Sequence, residues 1–161
     1  MDTYEYMVRL STFSFFILSS IASLSLASIV KSEPTANLTV LVKNIKHQTG
    51  QICLRIYSGE QGFPSGNKSE VQSGCTKISG SSVSKKFTGL KPGHYAVAVI
   101  DDQNGDFKLN RDIFGIPQEG FGLSKNPKVS IQTGTPAFKD ASFYLDQNMT
   151  VTIIMKYRLD S

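Results

Sequence analysis

The chain has 161 residues, with 17 basic and 13 acidic side chains and a formal net charge of +4. The basic residues are scattered, with only Lys85-Lys86 adjacent. There is no arginine-rich stripe and no interleaved aromatic platform, which sets aside nucleic acid as a partner. No G-x-S-x-G, H-E-x-x-H or phosphate-binding loop is present, so the familiar hydrolase, zinc-protease and nucleotide-binding signatures are missing.

The N-terminus reads as an export signal. Ser11 to Val30 carries no charge, follows Arg9 and ends in small residues. A basic flank, an apolar run and a small-residue exit make a signal peptide over residues 1–27, cleaved after Ala27 or alternatively after Ser32. The rival is a retained N-terminal membrane anchor, since roughly 20 apolar residues can span a bilayer. Its many serines favour the signal. Removing residues 1–27 takes away Arg9, Asp2 and Glu5, which moves the charge from +4 to +5. No membrane span is expected after removal. The expected location is the periplasm or the extracellular space. Residues 28–37 form a short linker, and residues 38–158 a single domain of ordinary size.

Strands are predicted from alternating apolar and polar residues. They begin with Leu38–Ile45 and Gln51–Ser58, joined by a Gly50-containing turn that reads as a hairpin. Ile52, Leu54 and Ile56 share one face of the second strand, and Cys53, Arg55 and Tyr57 the other. Weaker strands follow at Cys75–Ser79 and Val83–Leu90. Gly93–Asp101 is a strong one, with Tyr95, Val97 and Val99 on one face. Ala141–Asp146 and Met149–Tyr157 close the chain, the last with Val151, Ile153, Met155 and Tyr157 on one side. No segment after the signal has a sustained helical period. A single sheet would leave its apolar face wet, so the expected fold is an all-β, antiparallel two-sheet sandwich of immunoglobulin-like or transthyretin-like type. About forty residues between Asp101 and Ala141 lack a clear strand pattern, and their Phe and Gly content predicts an ordered excursion. Cys53 and Cys75 are the only cysteines, and in an exported chain they are expected to pair. A catalytic thiol would need His47 or His94 beside it.

The excursion opens with the richest cluster of polar residues. Asp102, Asn104 and Asp106 stand in a D-x-N-x-D arrangement, with Asn110 four residues further on. Alternate residues of a tight loop can aim their oxygens at one calcium ion, with Lys108 adding a carbonyl and Asp112 or Glu119 completing the shell. Phe107 and Ile113 occupy the positions where an EF-hand needs Gly and a bidentate acid, so the loop is not an EF-hand. The alternative is a turn in which the Asp and Asn side chains bond their own backbone. Two readings stay open for the glycine-rich stretch Ile113–Leu123. In one its apolar residues Ile113, Phe114, Ile116, Phe121 and Leu123 staple the excursion to the sandwich, with Gly115, Gly120 and Gly122 in unusual backbone conformations. In the other it roofs a ligand pocket. Asp101, Asp102 and Glu119 are the candidates for an acid–base pair in a small glycoside-cleaving hydrolase.

Three stretches carry a resemblance: "GLKPGHYAVAVIDDQNGDFKLN" (Gly89–Asn110), "GIPQEGFGLS" (Gly115–Ser124) and "PAFKDASFYL" (Pro136–Leu145). In this order they resemble the bacterial family catalogued as domain of unknown function 2141. The resemblance covers about Leu38 to Tyr157 and implies a small exported protein with no known activity. The family pattern has His-Asp-x-Asn where this chain has Asp101-Asp102-Gln103-Asn104, so a role resting on that histidine does not carry over. "LKPGHYAVAV" is also similar to the Leu-x-Pro-Gly-x-Tyr turn of transthyretin-like and carboxypeptidase-regulatory-like sandwiches. There Pro92 and Gly93 are expected to make a type II turn, with Leu90 and Tyr95 packing inward. The expected function is a non-enzymatic binding or structural module of the bacterial envelope, with an envelope or surface partner.

Overall fold

The computed structural model describes residues 33–160. The expected signal peptide lies outside them, as does the first half of the expected linker. The described chain runs β1 (Ala36–Lys43), β2 (Gln51–Tyr57), β3 (Glu70–Lys77), β4 (Ser82–Leu90), β5 (Gly93–Asp102), β6 (Phe121–Leu123), α1 (Phe138–Ala141), β7 (Phe143–Leu145) and β8 (Met149–Ile154). All of these elements belong to one compact unit. Among the described residues no helix is long and apolar enough to cross a membrane.

Two sheets pack face to face, in the order β4-β1-β8 and β3-β2-β5-β6, with β7 pairing the start of β5. The alternation explains the interface. Leu38, Val40 and Val42 of β1, Val83 and Phe87 of β4, and Ile153 of β8 meet Ile52, Leu54 and Ile56 of β2 and Tyr95, Val97 and Val99 of β5 in one buried cluster. Each such aliphatic side chain removed from water contributes about 1.5–3 kcal/mol. The all-β sandwich is therefore held by the two facing rows that the period-two pattern marks out.

Three local expectations are corrected. First, β1 and β2 are not a hairpin, because they lie in different sheets. The residues between them form an arch: Asn44, at φ 63°, donates its side-chain amide to the Met155 carbonyl at 2.8 Å, and the Lys46 amide donates to the Tyr157 hydroxyl at 2.8 Å. These bonds carry the chain across to the other sheet. Second, the pairing is not antiparallel throughout, since β1 and β8 run parallel, Leu38 opposite Met149 through Lys43 opposite Ile154. Within the first sheet β1 and β8 point one way and β4 the other, while every pair of the second sheet is antiparallel. Third, Gly93 does not take a positive φ. Gly89 does, at 73°, where two residues of β4, Thr88 and Gly89, oppose the single Asn37 of β1, an irregularity glycine accommodates cheaply. Leu90 and Tyr95 do pack inward, and the Tyr95 hydroxyl donates back to the Lys91 carbonyl at 2.8 Å, a corner-closing bond known from β-sandwiches.

The long excursion is ordered and contains β6, which pairs with Ala98–Ile100 of β5. Phe121 and Lys156 exchange backbone bonds at 2.9 and 2.7 Å, so β6 ties the second sheet to the segment following β8. Gly120 and Gly122 serve this close approach rather than unusual dihedrals. A Cβ on Gly122 would lie 2.6 Å from Ile153 Cγ2, and one on Gly120 would lie 2.6 Å from the Tyr157 ring. The cysteines form the disulfide Cys53–Cys75, joining directly opposed positions of β2 and β3 on the side facing away from the inter-sheet core. Closing such a loop stabilises the fold by about 3 kcal/mol.

Candidate functional site: the acidic loop and the cleft beside it

The outer face of the second sheet is covered at one end and open at the other. At the covered end, α1 and the loop after β2 bring Phe138 and Phe63 over Tyr57, Ala96, Ala98 and Leu123. At the open end lies a cleft of about 730 Å³. Its floor is Cys53 and Arg55 of β2, Ala98 and Ile100 of β5, and Phe121 and Leu123 of β6. Three loops wall it: residues 64–65 after β2, residues 107–117 after β5, and residues 129–136 after β6. A volume of this size falls within the range of small-molecule sites, roughly 300–1,000 Å³.

The acids predicted to form a site border this cleft but face elsewhere. Asp101 and Asp102 end β5 and are fully buried. Asp101 accepts hydrogen bonds from the Tyr157 hydroxyl (2.6 Å), from Gln103 Nε2 and from the His47 ring (2.8 Å). A carboxylate only accepts, so Nδ1 of His47 carries the proton it shares. Burial, and then the bond to Asp101, hold the Tyr157 phenol protonated far above its usual range. Asp101 thus joins the arch after β1, the end of β5 and the C-terminal segment.

Asp102 works on the loop that follows it. Its oxygens accept from the backbone amides of Gly105 (2.8 Å), Asp106 (3.2 Å) and Phe107 (3.3 Å), and from Gln51 Nε2 (3.0 Å). The Cys53 sulfur touches the same carboxylate at 3.5 Å, a contact without a proton because that sulfur is in the disulfide. Asn104, Asp106 and Asn110 gather in a separate knot. Asn104 donates to Asp106 at 3.1 Å, and the Asn110 amide, with its nitrogen toward Asp106, donates to Asp106 Oδ2 at 3.1 Å and to the Lys108 carbonyl at 3.2 Å. The four expected calcium ligands are therefore neighbours, yet Asp102 turns its oxygens to loop amides while the other three bond one another. Among the described residues no group of three or more His, Cys, Asp or Glu is placed to hold a metal ion.

Glu119 completes the fastening. One of its oxygens accepts from the Gln103 amide and the other from the Asn110 amide, each at 3.1 Å, so a single buried carboxylate pins both ends of the acidic loop. Asp112 accepts from the amides of Phe114 and Ile116, both at 2.9 Å, and closes a small hairpin whose strands bridge at Arg111 and Pro117. Ile113 and Phe114 form its tip, and they do not staple anything: they are 92% and 81% exposed. Phe121 and Leu123 are buried as expected. His94, at the start of β5, is exposed and meets Tyr144 edge-on at 5.0 Å.

Sequence reasoning raised a ligand pocket roofed by the glycine-rich stretch as one of two readings, and missed the other two walls because they come from separate loops. It also missed Arg55, which reaches across the floor to donate to the Ser65 carbonyl (3.2 Å) and the Phe107 carbonyl (2.7 Å), and so holds two of the walls. The available signal was the apolar pair Ile113-Phe114 at a turn between Asp112 and Gly115, where a purely architectural turn would be polar.

A model of the family described as "Uncharacterized protein conserved in bacteria (DUF2141)" matches residues 40–153. No curated protein and no solved structure matches the chain.

Proposed function

The chain belongs to this family of uncharacterized proteins conserved in bacteria, and from that premise we propose that it is a non-enzymatic binding module of the bacterial envelope whose cleft over β2, β5 and β6 receives a small ligand. One observation carries the reading: the cleft is framed by loops that are fastened from behind, so it is a preformed concavity with an apolar floor. The loop after β5 is fastened by the very carboxylates that a hydrolase would need free. Asp101, Asp102 and Glu119 are buried and engaged with backbone amides or neighbouring side chains, and none of them lines the cleft. In this reading the acidic loop is a self-bonded clamp, in which Asp102 and Glu119 hold the backbone that a calcium ion would otherwise organise.

Export rests on the apolar run Ser11–Val30 and is compatible with the Cys53–Cys75 bond, a kind that persists in oxidising compartments. The Leu90–Tyr95 corner supports grouping the sandwich with transthyretin-like domains.

The test is titration with the neutral fluorescent probe N-phenylnaphthylamine. Emission is expected to rise to saturation at about one probe per chain, and to be lost in the double variant Phe114→Asp with Ile131→Asp. Both residues are largely exposed, at 81% and 76%, so the fold is retained. Equal emission from the variant would overturn the assignment.

A further inference from the structure

Seven large apolar side chains are exposed among the described residues, and four of them sit at one place. Phe107, Phe114 and Ile131 line the cleft, and Ile113 adjoins Phe114 at the hairpin tip. Singly scattered exposed apolar residues need no explanation, but a cluster around a concave site marks a contact surface. The charge around the cleft is one-sided as well. Arg55, Lys108 and Arg111 line it, and no Asp or Glu does.

The three cations are not equivalent. Arg55 lies on the floor, bonded to two loop carbonyls and 3.7 Å from Glu70, so its charge is already answered. Arg111 gives one nitrogen to the Gly115 carbonyl, and among the described residues neither it nor Lys108 makes an ion pair. Both belong to the acidic-loop wall, and both are exposed. Long basic side chains of this kind lay their stems on apolar surface and keep the charge at its edge.

We infer that the cleft binds a small anionic amphiphile, its apolar body on Ala98, Ile100, Phe121 and Leu123 and its anionic head between Arg111 and Lys108. This deepens the binding-module reading and rests on it. A neutral ligand would leave the charges of Arg111 and Lys108 unused, and a cationic one would meet them with no Asp or Glu lining the cleft to offset the repulsion. The ligand is a single free molecule rather than a membrane surface, because three of the four exposed apolar residues, Phe107, Phe114 and Ile131, line a concavity.

The experiment is calorimetric titration of the full exported protein with dodecanoate, below its micelle-forming concentration, and in parallel with dodecyltrimethylammonium. Dodecanoate is expected to bind with saturation at one per chain. Affinity is expected to fall about tenfold, or about 1.4 kcal/mol, in Lys108→Gln with Arg111→Gln. The cation is expected to bind at least tenfold more weakly than dodecanoate to the unaltered protein. Lys108→Gln alone removes a side chain that bonds none of the described residues, and it controls for folding. Equal binding of the two ions, with N-phenylnaphthylamine still captured, would overturn the head-group assignment and leave the cleft reading intact. Failure of all three to bind would overturn both. Sedimentation with phosphatidylglycerol vesicles, in the absence of dodecanoate binding, would overturn the free-ligand assignment in favour of a membrane surface.

Discussion

Tyr157 shows how one buried carboxylate sets the character of its surroundings. Its hydroxyl donates to Asp101 and accepts from the Lys46 amide, and Lys46 Nζ lies 5.0 Å from its ring centre. Its pKa in the folded chain is raised, first by burial and then by Asp101, and burial also raises Tyr57 and Tyr95. A raised folded value means the folded chain holds the proton more tightly than the unfolded chain. The contribution is complete below the unfolded tyrosine value of about 10, and it fades as pH climbs from there through the folded value. Denaturant melts at about pH 7 and about pH 11 should therefore show a loss of stability at the higher value. In Tyr157→Phe the loss should be smaller, since one of the three late-titrating phenols is gone. The same variant should cost about 1–2 kcal/mol at neutral pH through the two missing bonds. An unchanged alkaline decline would show that Tyr157 is not held as described. The acids themselves were legible as a cluster in the sequence. Their roles were not, because whether Asp102 faces water, an ion or its own loop depends on burial that the neighbouring strands impose.

At the scale of elements, the strands that alternate cleanly were legible, and β1, β2, β5 and β8 fall where the pattern places them. β6 was not, because Phe121, Gly122 and Leu123 are all buried and three residues are too few to show a period. Nor was the sheet to which each strand belongs: the arch from Asn44 to Gly50 reads locally as a hairpin turn, and bonds from Met155 and Tyr157, more than a hundred residues away, decide otherwise. Two predictions belong here. Gly122→Ala should destabilise by about 1–3 kcal/mol, the range for an overpacked core, because its new methyl would meet Ile153; a neutral result in a chemical melt would mean β6 and β8 are further apart. For the acidic loop, the thermal midpoint should be the same in excess EDTA and in millimolar calcium, while Asp102→Ala should lower it by releasing three loop amides and Gln51. A midpoint that rises with calcium would show that an ion binds the native loop after all.

For the whole molecule, the sandwich separates two jobs. The inter-sheet core supplies stability, and the outer face of the second sheet supplies a surface that its own loops only partly cover. The disulfide lies at the floor of the open part and joins β2 to β3 there. None of this could be read from one segment, since the cleft is a property of where three loops and a C-terminal residue, Leu159, come together. The central claim is that this concavity is where the protein meets its ligand. Its most direct test is chemical-shift mapping by nuclear magnetic resonance during titration with N-phenylnaphthylamine. The account predicts shifts confined to Ala98, Ile100, Leu123, Ile131 and the 107–117 loop. Shifts centred on β1 and β4, or no saturable shift anywhere, would contradict it.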